Sequence, residues 1–230
     1  MAKLTRFGTA VSAIALAGFV AGCAAPFAKS GSAKNGISNP KVGLAIRAQA
    51  ALGSGDLVSA VSFAEQAVAN SPQSAEVRSL LGNAYFASGR FASAEAAYRD
   101  SLSLQAAQPQ AVLKLALVQI AQGKNAQAVA LLDSARGMIE AADHGLALAL
   151  AGQPADAVAL LEPAARSVGA DSRVRQNLAL AHGLSGDWDA ARTIAAQDLP
   201  GNLVDSRVQQ WMALAKPARA SDQVAALVGV

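Results

Sequence analysis

Apolar residues follow two distinct patterns along this chain. The first is one continuous run. From Phe7 to Val20 there is no charge, and only Thr9 and Ser12 are polar. Lys3 and Arg6 stand just before or at the edge of that run. A positive start followed by a short apolar stretch predicts a secretory signal peptide. The alternative, a membrane-spanning helix, needs about 20 apolar residues, and this run is shorter and ends in small residues.

The second pattern is a recurring register of small residues. Glycines stand at Gly55, Gly89, Gly123, Gly152 and Gly186, at intervals of 34, 34, 29 and 34. Five residues after each comes an alanine: Ala60, Ala94, Ala128, Ala157 and Ala191. Seven residues before each comes Ala48, Gly82, Ala116, Gly145 or Ala179. Self-similarity at a fixed period of this length is the mark of a solenoid. The physical reading is a helix, a tight turn carried by the glycine, and a second helix. Small residues let the two helices approach closely, and pairs stack because one pair cannot bury its apolar face alone.

This register resembles the tetratricopeptide repeat, which carries a small residue at position 8, glycine near 15 and alanine at 20 of a 34-residue unit. The second copy shows it best. Leu81, Gly82 and Tyr85 match positions 7, 8 and 11, and Gly89, Phe91, Ala94 and Tyr98 match 15, 17, 20 and 24. Pro72 stands at position 32 of the first copy, and Leu57 and Trp188 fill position 17 elsewhere. The resemblance implies an all-α fold: a right-handed superhelix of about five helix-turn-helix repeats with a C-terminal capping helix. The expected units are 41–74, 75–108, 109–137, 138–171 and 172–200, then a cap over 201–216 and a tail over 217–230. The 29-residue interval predicts a loss of five residues around Gly137–Asp143, leaving a short first helix near Ala141–Ala151 and a local change of twist. Pro154 fits the first turn of a second helix. In the cap, Asn202 is expected to start a helix closed by Pro217, with Leu203, Val208, Trp211 and Leu214 as its apolar stripe. The tail "ASDQVAALVGV" reads either as a frayed end or as a docking strand.

The chain's one cysteine sharpens the N-terminal reading. Val20-Ala21-Gly22-Cys23 resembles a bacterial lipobox, in which a peptidase cuts before the cysteine and the thiol carries a diacylglyceryl group. The expected mature chain then starts at Cys23 and has 208 residues. An ordinary signal peptide with an incidental cysteine is the alternative. One acyl chain anchors marginally and two hold stably, so the resemblance implies a firm membrane anchor. Ala24, where an aspartate favours inner-membrane retention in some bacteria, implies the periplasmic face of the outer membrane. Residues 24–40 mix Pro, Gly, Ser, Asn and Lys and predict a flexible tether of about 20–25 Å.

Charge narrows the partner classes. The formal net charge is +3. Removing Lys3 and Arg6, then Lys29, Lys34 and Lys41, leaves −2 on residues 42–230. The body therefore lacks a nucleic-acid footprint. No catalytic constellation stands out. The Gly123-Lys124 pair lacks phosphate-loop spacing, and Gly183–Asp187 lacks the nucleophile-elbow pattern. His144 and His182 fall at positions that face other helices, so packed, satisfied imidazoles are expected, and no second ligand stands at metal spacing. No enzyme activity, metal, cofactor or small-molecule substrate is expected, apart from the covalent lipid on Cys23.

In the repeat family, the first helix of each unit lines a concave groove. Carried over, Phe86, Leu113, Leu117, Ile120, Leu146, Leu150, Leu180 and Leu184 form its wall, with Gln49, Ser79 and Asn83 as a more polar entrance. Either the wall receives a partner segment by its side chains, or a tight superhelix buries these leucines against one another. The whole layout is similar to the repeat lipoprotein of tight-adherence (Flp) pilus assembly, including "RVRQNLALAHGLSGDWDAARTIAAQDLP" at 173–200. That resemblance implies a protein partner, a pilus secretin. An adaptor for outer-membrane protein assembly or peptidoglycan enzymes is the alternative.

Overall fold

Tight turns, each carried by a glycine, fold this chain into antiparallel helix pairs. The structure, a computed structural model, describes residues 40–216 and 221–224. The apolar run, Cys23 and the tether up to residue 39 lie outside the described residues. Eleven helices are formed by 40–216: α1 Pro40–Ser54, α2 Leu57–Asn70, α3 Ala75–Ala87, α4 Phe91–Leu104, α5 Pro109–Ala121, α6 Asn125–Ser134, α7 Ala141–Leu150, α8 Pro154–Arg166, α9 Ser172–Leu184, α10 Trp188–Ala195 and α11 Gly201–Ala215. A further helical turn spans 221–224. The described residues contain no strand. They form an all-α solenoid of five helix pairs closed by α11.

The turn after α3 shows why glycine recurs. Gly89 has φ +71°, a conformation that costs an L side chain about 1–2 kcal/mol, and Arg90 N–H then donates to Tyr85 C=O at 2.8 Å. That bond satisfies a carbonyl the helix end would otherwise leave unpaired. Gly55, Gly123, Gly152 and Gly186 take the same left-handed conformation. Side chains start several helices: Asp56 accepts from Ser59 N–H, Ser74 from Val77 N–H, and Asp187 from Ala190 N–H. Pro154 opens α8, where its missing N–H has no carbonyl to serve.

The small positions are where the two helices of a pair meet. Ala48, Ala116 and Ala179 in the first helices, and Ala60, Ala94, Ala128, Ala157 and Ala191 in the second, are all at 0 % exposure. At Gly82 a Cβ would lie 2.6 Å from a ring carbon of Tyr98, so nothing larger than glycine fits unless the ring moves. Position 24 fills the gap between pairs and varies in size: Ala64, Tyr98, Leu132, Leu161 and Ala195, each fully buried.

Three apolar clusters result. Large side chains dominate the central one, which runs from Phe86 through Leu113, Ile120, Leu132, Leu148 and Leu161 to Leu178. The N-terminal cluster is built mainly of alanine, with Val61 and Leu80. The C-terminal one gathers Leu180, Val204, Val208 and Trp211 under α11.

The short first helix expected near 141–151 is formed, as α7, while the site of the loss and the cap are amended. The lost residues are shared: α6 has 10 residues against 14 in α4, and α7 has 10 against 13 in α3. Asn202 does not cap α11. Pro200 occupies that position without a side-chain cap, and Asn202 lies inside the helix. Leu203 is 49 % exposed, and Val204 takes its place in the stripe, one residue later on the helical wheel.

Candidate interaction groove

The first helices of successive pairs, α1, α3, α5, α7 and α9, bring together the residues expected to form the groove. Their packing differs sharply along the solenoid. In α1, Gln49 is exposed, and in α3 Ser79 and Asn83 are half-buried. From there on the wall closes. Phe86, Leu113, Leu117, Ile120, Leu150 and Leu180 are buried, none above 9 % exposed. Leu146 and Leu184 are half-buried and pack against the same clusters. Of the two alternatives the sequence left open, burial against neighbouring side chains holds for these six residues, with α7 packing directly on α9.

At the boundary between the open and closed parts sits a polar cluster. Tyr98 Oη and Lys114 Nζ both donate to Asn83 Oδ1, at 2.8 and 2.7 Å. Burial holds the Lys114 ammonium below the usual lysine range and pushes the Tyr98 phenol up. An amide oxygen is the partner for this cation. The lysine is therefore a single positive charge to which an incoming carboxylate can add a partner. It is not a multi-residue basic clamp.

On the second helices, Glu95 is 6 % exposed. Its Oε2 accepts from Lys124 Nζ at 2.6 Å and Gln122 Nε2 at 2.8 Å. Arg99 lies 2.7 Å from Oε1, an ion pair without hydrogen-bond alignment. Burial raises the carboxyl's pKa, but these donors and the two cations outweigh it and hold the group below its ordinary range. The link ties α4 to the α5–α6 turn. Near the C-terminal end, Arg175 forks onto Asp198, Nε reaching Oδ2 at 2.9 Å. Those hydrogen bonds hold the Asp198 carboxyl below its usual range, against the opposing effect of burial.

The histidines differ from expectation in one respect. His144 is packed at 2 % exposure, but its Nε2 has no hydrogen-bond partner. Burial, with Arg136 nearby, lowers its pKa, so the neutral ring is favoured. His182 is half-buried, with Nδ1 3.9 Å from Asp187 Oδ2, beyond hydrogen-bond reach. Among the described residues no cluster of three His, Cys, Asp or Glu is placed to hold a metal. None of the described helices is long and apolar enough to cross a membrane.

The sequence left the C-terminal tail undecided between a frayed end and a strand. Residues 221–224 instead form a helical turn packed against the solenoid, with Val224 at 0 % exposure. Gln223 and Leu214 line a cavity of about 330 Å³ together with Leu150, Leu180 and Leu184 of the groove wall. The legible signal was the uncharged stretch beginning at Gln223. Nothing local said which surface it would meet.

Fold and surface together define an interaction scaffold of stacked helix-turn-helix repeats. Comparison with known proteins names the family. Tetratricopeptide-repeat family models match residues 51–102, 79–144, and 141–163 with 172–197, together more than half of the chain. The chain belongs to the tetratricopeptide repeat family. Similar solved structures share the fold at low identity. A thermophilic tetratricopeptide-repeat protein of Thermus thermophilus is 19 % identical at TM-score 0.58, over 75 % of this chain and 99 % of that one. PilF of Pseudomonas aeruginosa is 16 % identical at TM-score 0.57, over 82 % and 88 %. MamA is 17 % identical at TM-score 0.54, over 75 % and 92 %. No curated protein sequence matches the chain.

Proposed function

We propose that this protein is a lipid-anchored scaffold at the periplasmic face of the outer membrane that holds a partner protein during tight-adherence (Flp) pilus assembly, the partner being the pilus secretin. The observation that carries the reading is the order of parts. Val20-Ala21-Gly22-Cys23 stands behind a charged start and an apolar run, and a protein-binding solenoid begins about 17 residues later. Lipid on Cys23 would hold the solenoid near the membrane while the tether leaves it free to turn. A repeat solenoid supplies binding surface without chemistry of its own. The resemblance of the whole layout, residues 173–200 included, to the pilus repeat lipoprotein is what favours the pilus over other envelope machinery.

Two experiments test this. Cys23→Ser should move the protein from the membrane pellet to the soluble fraction; a variant that still pellets would sink the anchor. Cross-linking in native envelopes, with an affinity tag placed within 24–40 to leave the C-terminus free, should recover the pilus secretin. Recovery of a peptidoglycan enzyme or an outer-membrane assembly factor instead would replace the pilus reading with the adaptor alternative.

A further inference from the structure

The C-terminal segment meets the solenoid at the groove wall. Gln223 Nε2 donates to Leu214 C=O at 2.8 Å, folding the chain back onto α11. One residue on, fully buried Val224 joins the packed cluster that holds Phe86, Leu113, Leu117, Ile120 and Leu150. These are among the residues expected to line the concave face. Gln223 and Leu214 line the 330 Å³ cavity together with Leu150, Leu180 and Leu184. In that wall, Asn125 Oδ1 is buried and accepts no hydrogen bond. Beyond Val224 the sequence continues "AALVGV", without a charged side chain.

We propose that the C-terminal end of this chain is the resident occupant of its own concave groove, in cis, and that a partner must displace it. The chemistry of the occupant defines the competitor: a short peptide segment that places an aliphatic side chain where Val224 sits and offers an N–H donor to Asn125 Oδ1. The inference rests on the concave face being the binding surface. Its consequence is regulatory. A groove that is competent in only a fraction of molecules binds with an affinity reduced by that fraction, so the tail sets a threshold that weak ligands do not pass.

The test uses the full-length chain and a fluorescein-labelled peptide of residues 217–230. Val224→Asp places a carboxylate at a fully buried position and should empty the groove. The labelled peptide is expected to bind the Val224→Asp chain at least about tenfold more tightly than the wild type. Adding Leu184→Glu to that variant should remove the binding. Equal binding to wild type and variant, or binding to neither, overturns the proposal. If Val224→Asp loses helical circular dichroism, Val224→Ser is read by the same criterion. A wild type that dimerises with concentration while the variant stays monomeric makes a second copy the occupant, and overturns occupancy in cis. The assay contains no secretin, so its failure leaves the scaffold reading standing, and failure to recover a secretin leaves this result standing.

Discussion

The two ends of the concave face obey the same sequence register yet pack in different ways. In repeats one and two, the first helices present Gln49, Ser79 and Asn83, and the core beneath is largely alanine. In repeats three and five, the position of Gln49 and Asn83 carries Leu117 and Leu180, both buried, and the core of repeats three and four holds Leu132 and Leu161. Burial stabilises by about 25 cal/mol per Å² of apolar surface, so a buried leucine outweighs a buried alanine several-fold. The difference teaches that a repeat register fixes where helices meet, while the residue at position 9, Gln49 and Asn83 against Leu117 and Leu180, decides how much apolar surface the groove face buries. In a solenoid each unit leans only on its neighbours, so the two halves also differ in how firmly they are held.

Charge placed in the groove breaks the comparison most strongly. Leu180→Glu strands a carboxylate at a buried site and should cost about 3–5 kcal/mol in denaturant unfolding. Gln49→Glu, the matching change in the open half, should stay within about 0.5 kcal/mol. Equal costs would mean that the halves do not differ in packing. Next comes size: Leu161→Ala should cost about 2–5 kcal/mol through the cavity it leaves. Gly82→Val, forced against the Tyr98 ring, should cost about 1–3 kcal/mol. An unchanged unfolding midpoint for Gly82→Val would show that the α3–α4 contact is looser than the 2.6 Å approach implies.

A smaller effect, dependent on pH, acts where the two halves join. Glu95 bridges α4 to the α5–α6 turn, and its folded pKa lies below the ordinary value of 4.5. A depressed carboxyl stabilises the fold fully above its unfolded pKa, and that contribution is lost as pH falls through the folded value. The stability gap between wild type and Glu95→Gln should therefore be widest at neutral pH and close in acid. A gap that widens on acidification would reverse the assigned sign. Smallest of all, Val58→Ser at an 84 % exposed site should shift stability by under about 0.5 kcal/mol.

The helix pairs were legible in the sequence because glycine and alanine recur where backbone geometry and close approach demand them. Gly89, Gly82 and Ala94 each answer a local steric question, and local questions leave a trace in residue type. The groove residues were placed on the right helices by the same register. The register left open whether they face a partner or one another, since that depends on how closely neighbouring first helices pack, which is not a local property of the sequence. The cap of α11 misled because asparagine is a common N-cap, while Pro200 holds that position here. Val224 was invisible for a different reason: an apolar tail declares that it will be buried, without saying where.

Native-state hydrogen exchange, followed segment by segment, tests the central contrast most directly. The contrast between a closed, leucine-packed half and an open, alanine-packed half predicts that amides of α5, α7 and α9 exchange last, through global unfolding. Amides of α1 and α3 should exchange earlier, through local opening of the first two repeats. Protection in α1 and α3 equal to or greater than that in α7 and α9 would contradict the account.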